Sequence, residues 1–476
     1  MRYTCKKAGI AYFYAKGWNM NRFESNLTEG SVLKGLIRFS LPFLLSNIVQ
    51  SLYNVADMWV VGKFSGTASI AGVNIGGQVT FILTNLIMGL CTGGTVLIAQ
   101  YIGSGNREKL KKTVSTLFTG LMAAAVVITV VMLLLKNQVL LLLNTPPESF
   151  SETSDYLWVT VTGIVFIFGY NALSAVLRGM GDSKRPLIFV SIACATNVVL
   201  DIILVGPFGM GAMGAAIATV ISQGLSLILC IRYLKQKDFL FDFKLSSFRI
   251  DRGQLESILK IGTPAAIQNT IVSMSFLFIT ALVNSIGGVT ASAAAGVVGK
   301  FNSFAILPAI GMSAAVSTMA AQNIGANKWD RALMSAKIGM VIAIGFSLTA
   351  FSVAQLFPEA IIRLFDTNPK TIADGVAYMR SYSFDYLIVP FVFCLNGLYI
   401  GAGHTTFSLF TGLISSLLAR IPASYLFGQV LGWGLKGVGL GAPTASFVSL
   451  LMVLGFFITG RWKVNVADKH VTGDMM

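Results

Sequence analysis

Charge is what this sequence has least of. Asp, Glu, Lys and Arg make up 12% of its 476 residues, against roughly 25% in soluble domains, while hydrophobic residues make up 54%. Water is therefore not its main solvent. Histidine is nearly absent too. His404 and His470 are the only two, and without a metal-binding or nucleophile constellation around them a membrane-embedded enzyme would lack its catalytic groups. The five cysteines form no C-x-x-C pair; Cys91, Cys194, Cys230 and Cys394 fall in apolar runs and read as filler. A phosphate-binding G-x-x-x-x-G-K-[ST] loop is also missing. Its nearest approach, GVVGKF at 296–301, has the wrong spacing and ends in Phe301, which excludes ATP as the direct energy source. No cofactor is expected. Residues 1–19 hold no apolar stretch of seven or more, so no cleaved signal peptide is expected, and Met20 offers a second start.

What the chain does have is long hydrophobic runs. A helix needs roughly 20 apolar residues to cross a hydrocarbon core of about 30 Å, and twelve runs qualify: 36–61, 77–101, 114–135, 156–177, 186–205, 211–233, 261–283, 303–323, 335–357, 377–399, 407–427 and 438–460. Barrel strands would alternate apolar and polar residues instead. The fold class is an all-α membrane protein of twelve transmembrane helices.

The net charge of +15 invites a nucleic-acid reading, but its distribution argues against one. Of 35 Lys and Arg, 27 lie on the side that holds both termini, and seven (Lys63, Lys136, Lys300, Arg363, Lys370, Arg380 and Lys436) lie on the other. Arg420 alone falls deep inside a span. Basic residues gather on the cytoplasmic side of a membrane, so a multi-pass protein of the cytoplasmic membrane with both termini inside is expected.

The sequence also repeats itself. LPFLLSN at 41–47 faces TPAAIQN at 263–269, AQYIG at 99–103 faces AQNIG at 321–325, and RGMGD at 178–182 faces IGAGH at 400–404, all at an offset of 222; GMGAMG at 209–214 faces GWGLKG at 432–437 at 223. Six spans return the chain to its starting side. Two parallel six-helix repeats would therefore be related by a pseudo-two-fold axis along the membrane normal, with a central cleft between them. The expected division is an N-terminal extension at 1–30, a first lobe at 31–233, a cytoplasmic linker at 234–258, a second lobe at 259–460 and a tail at 461–476.

An ionisable side chain in a span costs several kcal/mol on typical scales and normally has a task. Asp57 and Asp201 each fall about five residues before the outer end of their spans, roughly 7–8 Å below the boundary at 1.5 Å per residue. Asn47, Gln50 and Asn54 precede Asp57 at spacings of three and four and make a polar stripe on one helix face. Asn197 precedes Asp201 by four, so amide and carboxylate point the same way. Two carboxylates in one low-dielectric site cannot both ionise cheaply, so the pair can hold a proton; equally, carboxylate and amide oxygens suit sodium.

The second half lacks these groups: Ile279 stands opposite Asp57 and Ala423 opposite Asp201. It carries Asp385 and Arg420 instead, of opposite sign and expected to meet as a salt bridge. Pro42 and Pro264 are expected near the starts of spans 1 and 7, with Pro390 and Pro422 as the better hinge candidates.

VADMWVVGKFSGTASIAGVNIGG at 55–77, LRGMGDSKRP at 177–186, GMGAMGAAIAT at 209–219 and the paired AQ-x-IG segments resemble the multidrug and toxic compound extrusion family over residues 30–460. The resemblance implies efflux of organic, often cationic, compounds driven by inward movement of protons or sodium. In one branch of that family an aspartate on helix 1 and an Asn-x-x-x-Asp pair on helix 5 form the cation site, and Asp57, Asn197 and Asp201 match those positions. Another branch carries acidic coupling residues on helices 7 and 10; around Val272 and Val389 there are none.

Two other readings stand beside this one. A lipid-linked oligosaccharide flippase would share the general fold but needs a strongly cationic cavity, and only Arg420 is buried. A major facilitator would carry a charged Asp-Arg signature between helices 2 and 3, absent from GSGNREKLKK. The expected partners are a small organic substrate and membrane lipid, with neither nucleic acid nor ATP, and the chain is expected to work as a monomer.

Overall fold

The computed structural model describes residues 25–235 and 239–465. Most of the N-terminal extension, part of the linker and most of the tail, His470 included, lie outside the described residues.

Fourteen helices carry the fold: α1 Val32–Phe64, α2 Thr67–Ser104, α3 Arg107–Leu142, α4 Pro147–Thr162, α5 Ile164–Gly179, α6 Lys184–Val205, α7 Gly211–Lys235, α8 Arg252–Gly325, α9 Trp329–Leu356, α10 Pro358–Arg363, α11 Pro369–Tyr382, α12 Asp385–Gly401, α13 Thr405–Val430 and α14 Gly434–Ile458. Local sequence sets their starts. Side chains of Ser31, Asn106 and Asp251 accept from Lys34, Lys109 and Gln254 backbone N–H groups at 3.4, 3.0 and 3.0 Å, which satisfies donors that a helix start leaves unpaired. Pro147, Pro358 and Pro369 occupy first turns, where a missing donor costs nothing. Gly105 ends α2 in the left-handed region at φ 72°.

Nine of these helices are long and apolar enough to cross a membrane on their own. Two bent pairs, α4 with α5 at 48° and α11 with α12 at 42°, each supply one more. The 74-residue α8 would be about 110 Å long if straight, several membrane thicknesses. It breaks at Gly288, where φ 58° and ψ −140° are open to glycine alone, and so supplies two spans. The count is then twelve. Gly288 lies 222 residues after Gly66, the N-cap of α2. The same spacing relates the starts of α3 and α9, the starts of α4 and α11, and the ends of α5 and α12.

Side chains such as Leu134, Leu142, Leu277, Val341 and Ile458 are exposed around the outside, as lipid-facing residues must be. Inside, Leu97, Phe168 and Leu173 pack in one apolar core, and Leu36, Leu398 and Tyr399 in another.

Three expectations need correction. Pro42 and Pro264 lie well inside α1 and α8, because both helices begin about ten residues earlier in polar sequence that an apolar window ignores. The bends fall at Gly163 and at Ser383–Phe384 rather than at Pro390. Pro422, by contrast, sits between two stretches of α13, Ile414–Arg420 and Leu426–Val430, that widen to π-helix. The linker, finally, is more than a polar connection. Phe241, Phe243 and Phe248 pack edge-on or tilted against Phe118 of α3 at centroid distances of 5.8 Å, and Ser115 donates to Ser247 and Arg249 carbonyls at 2.7 and 2.8 Å.

Candidate functional site

Asp57, Asn197 and Asp201 come together between α1 and α6. Asp201 is 0% exposed, Asn197 1% and Asp57 7%. The two carboxyl groups are adjacent, within reach of one shared hydrogen bond. Asp57 lies seven residues from the end of α1 and Asp201 four from the end of α6. Tyr53, one turn before Asp57, shares a 2.7 Å hydrogen bond with Thr219 of α7, and the Asn197 amide donates to the same hydroxyl at 3.5 Å. Tyr156 of α4 closes the site close to both carboxylates.

The oxygens are the informative atoms. Asp57 Oδ1, Asn197 Oδ1 and both Asp201 carboxylate oxygens are buried without a hydrogen-bond donor among the described residues. A buried charge without a partner costs several kcal/mol, and a cluster of acceptors with no donor is a site that binds positive charge. No three His, Cys, Asp or Glu side chains gather anywhere among the described residues, so a transition metal finds no ligand set, whereas a proton or an oxygen-coordinated sodium ion fits.

The polar stripe of α1 splits. Asn47 donates back to the Phe43 carbonyl of its own helix at 2.9 Å. Gln50 and Asn54 are exposed, yet they lie on the side of α1 opposite the exposed Leu52, Val55 and Trp59.

Asp385 and Arg420 do not pair. Among the described residues Arg420 makes no ion pair; its guanidinium lies 3.9 Å from the centre of the Phe276 ring. Asp385 is the first residue of α12, where the positive end of the helix dipole favours a carboxylate, and Ser446 is its polar neighbour.

Sequence reasoning saw AQ-x-IG twice without seeing its use. The Gln100 side chain donates to the Gly401 carbonyl at 2.8 Å, and Gln322, 222 residues on, donates to the Gly179 carbonyl at 3.4 Å. Gly103 and Gly325 permit the approach. A Cβ on Gly103 would stand 1.9 Å from the Gln322 carbonyl oxygen, and one on Gly325 2.0 Å from that of Gln100. Each half thus clamps the other by the same motif. Leu27 N–H donates to Gln322 Oε1 at 3.0 Å and joins the N-terminal segment to the clamp.

Comparison with known proteins agrees with this arrangement. The MatE family profile matches residues 42–203 and again 264–426. The probable multidrug resistance protein YpnP of Bacillus subtilis is 31% identical over 92% of this chain and 97% of its own length. The probable multidrug resistance protein NorM of Thermotoga maritima is 27% identical over 91% and 93%, and the FAD transporter of Shewanella oneidensis 24% over 94% and 99%. Among solved structures, an outward-facing multidrug resistance MATE family transporter of the MOP superfamily superposes with a TM-score of 0.86 at 24% identity, covering 95% of this chain and all of that one. The chain is an integral membrane transporter that belongs to the MatE, or multidrug and toxic compound extrusion, family.

Proposed function

We propose that the protein is a secondary antiporter that exports organic compounds across the cytoplasmic membrane, in exchange for protons or sodium bound at Asp57, Asn197 and Asp201. The observation that carries this reading is the set of four buried acceptor oxygens without donors in those three residues. A cation entering from outside relieves them, and its binding free energy is available to bias the two-state movement of the halves.

The two halves act as lobes, residues 31–233 and 259–460, that rock about the central cleft, with both termini in the cytoplasm. The glutamine clamp supports an outward-open state, since it closes the halves at the end that carries the termini. A solved relative described as outward-facing is consistent with that state. The test uses purified protein in proteoliposomes with no ATP. Export of a fluorescent aromatic compound should require an imposed proton or sodium gradient, and the ion whose collapse stops it is the coupling ion. Uphill export with ATP alone would overturn the reading.

A further inference from the structure

The second lobe, which has no counterparts of Asp57 and Asp201, has a cavity of its own. About 330 Å³ in volume, it lies between both arms of α8, α11 and the π-helical part of α13, and is large enough for a small aromatic ligand. Its polar lining includes Asn284, Asn302, Tyr378, Tyr382 and Arg420, with Phe276 under the guanidinium. Asn302 donates to the Tyr382 hydroxyl at 3.0 Å, which leaves that O–H free to donate onward. Arg420 is 8% exposed and forms no ion pair among the described residues. Asp385, the nearest carboxylate, is not part of the cavity wall.

The position sharpens the point. At the spacing of 222, Tyr378 corresponds to Tyr156 and Arg420 to Val198, the residue after Asn197. The cavity is therefore the counterpart of the acidic centre with its sign reversed. The π-helical turn ending at Arg420 has no counterpart in α6, which is a regular helix, and such widened turns recur at functional sites.

We propose that this cavity binds the anionic group of the exported molecule, a carboxylate or phosphate on an aromatic body. Arg420 supplies the charge, the Tyr378 and Tyr382 hydroxyls donate alongside it, and Phe276 flanks the ring. The proposal rests on the transporter reading and names its substrate class: aromatic acids and zwitterions rather than simple organic cations. Arginine suits this role because its planar fork meets a carboxylate or phosphate with two donors at once.

The experiment measures binding to full-length protein in detergent by calorimetry, with 2-naphthoate and naphthyl phosphate as probes and methyl 2-naphthoate as the neutral match. Wild type should prefer the anions to the ester by at least about tenfold, as a charge-assisted hydrogen bond implies. Arg420→Met should remove that preference by weakening anion binding at least about tenfold, and Arg420→Lys should restore part of it. Equal binding of anion and ester by wild type, or an unchanged preference in Arg420→Met, overturns the proposal. A binding readout needs no transport. Arg420-dependent anion binding without any ion-driven flux would therefore uphold the site and sink the antiporter reading, whereas ion-driven flux without anion preference would do the reverse.

Discussion

The two halves of this molecule share a plan and differ in charge. Several of their helices start or end at a spacing of 222 residues, and both keep a tyrosine at the same place, Tyr156 and Tyr378. Around the first tyrosine are two carboxylates and an amide whose oxygens lack donors; around the second are an arginine and two hydroxyls beside an open cavity. The halves share a scaffold and differ in charge at a few positions inside it. Ile279 for Asp57 and Ala423 for Asp201 remove the acid, and Arg420 for Val198 adds the base. On the proposed reading a cation in one half and the substrate in the other would not compete for the same atoms, and their coupling would run through the relative position of the halves.

The largest effect should come from removing the acid. Asp57→Asn together with Asp201→Asn should lower uphill export in proteoliposomes on the order of 100-fold. The protein should stay folded, because replacing buried charge by a neutral isostere is often neutral or stabilising. A melting temperature in detergent at or above that of wild type is the expected control. Full export by the double variant would erase the distinction between the halves.

Smaller effects should follow at the clamp, where the halves are equivalent and the glycine substitutions should act equally. Gly103→Ala and Gly325→Ala each push a Cβ into a carbonyl at about 2 Å, and overpacking of this kind costs about 1–3 kcal/mol. Thermal melts should show similar losses for both; a loss confined to one would break the symmetry. Gln100→Ala should be milder, about 1 kcal/mol for a lost hydrogen bond, and Gln322→Ala about twice that, because it also leaves the Leu27 N–H unpaired. Because they loosen only the closed end, they should raise labelling of a cysteine placed at Leu27.

Topology offers a further check on how the halves sit in the membrane. A reporter active only in the cytoplasm, fused after residue 465, should be active, because 27 basic residues gather on that side against seven opposite. Activity of an exported-only reporter at the same place would invert the molecule and put the clamp outside.

How much of this was legible in the sequence depends on the range of the interaction involved. The twelve spans, the duplication and the acidic centre were readable, because each rests on local hydropathy, on self-comparison or on i, i+4 spacing, as with Asn197 and Asp201. The Asp385–Arg420 pair was misread. Two opposite charges in neighbouring apolar runs invite pairing, but Asp385 sits at a helix start created by the bend at Ser383–Phe384, and no spacing rule signals that bend. The clamp was visible as a repeated AQ-x-IG motif, yet its partners, Gly401 and Gly179, lie some 300 and 140 residues away. The cavity was invisible for the same reason, since Phe276, Asn302, Tyr378 and Arg420 are scattered over three helices. The one available hint was Arg420 itself, the only basic residue deep inside a span.

The division of labour between the halves can be tested directly at equilibrium. Substrate addition to detergent-solubilised protein should release bound cation, because linkage between coupled sites is reciprocal. The release is read as protons with a pH indicator or as radioactive sodium in equilibrium dialysis. Wild type should release cation, Asp57→Asn with Asp201→Asn should release none while still binding substrate, and Arg420→Met should still bind cation but release little when an aromatic acid is added. Undiminished cation release from the double aspartate variant would contradict the account, since the cation would then reside outside the first half.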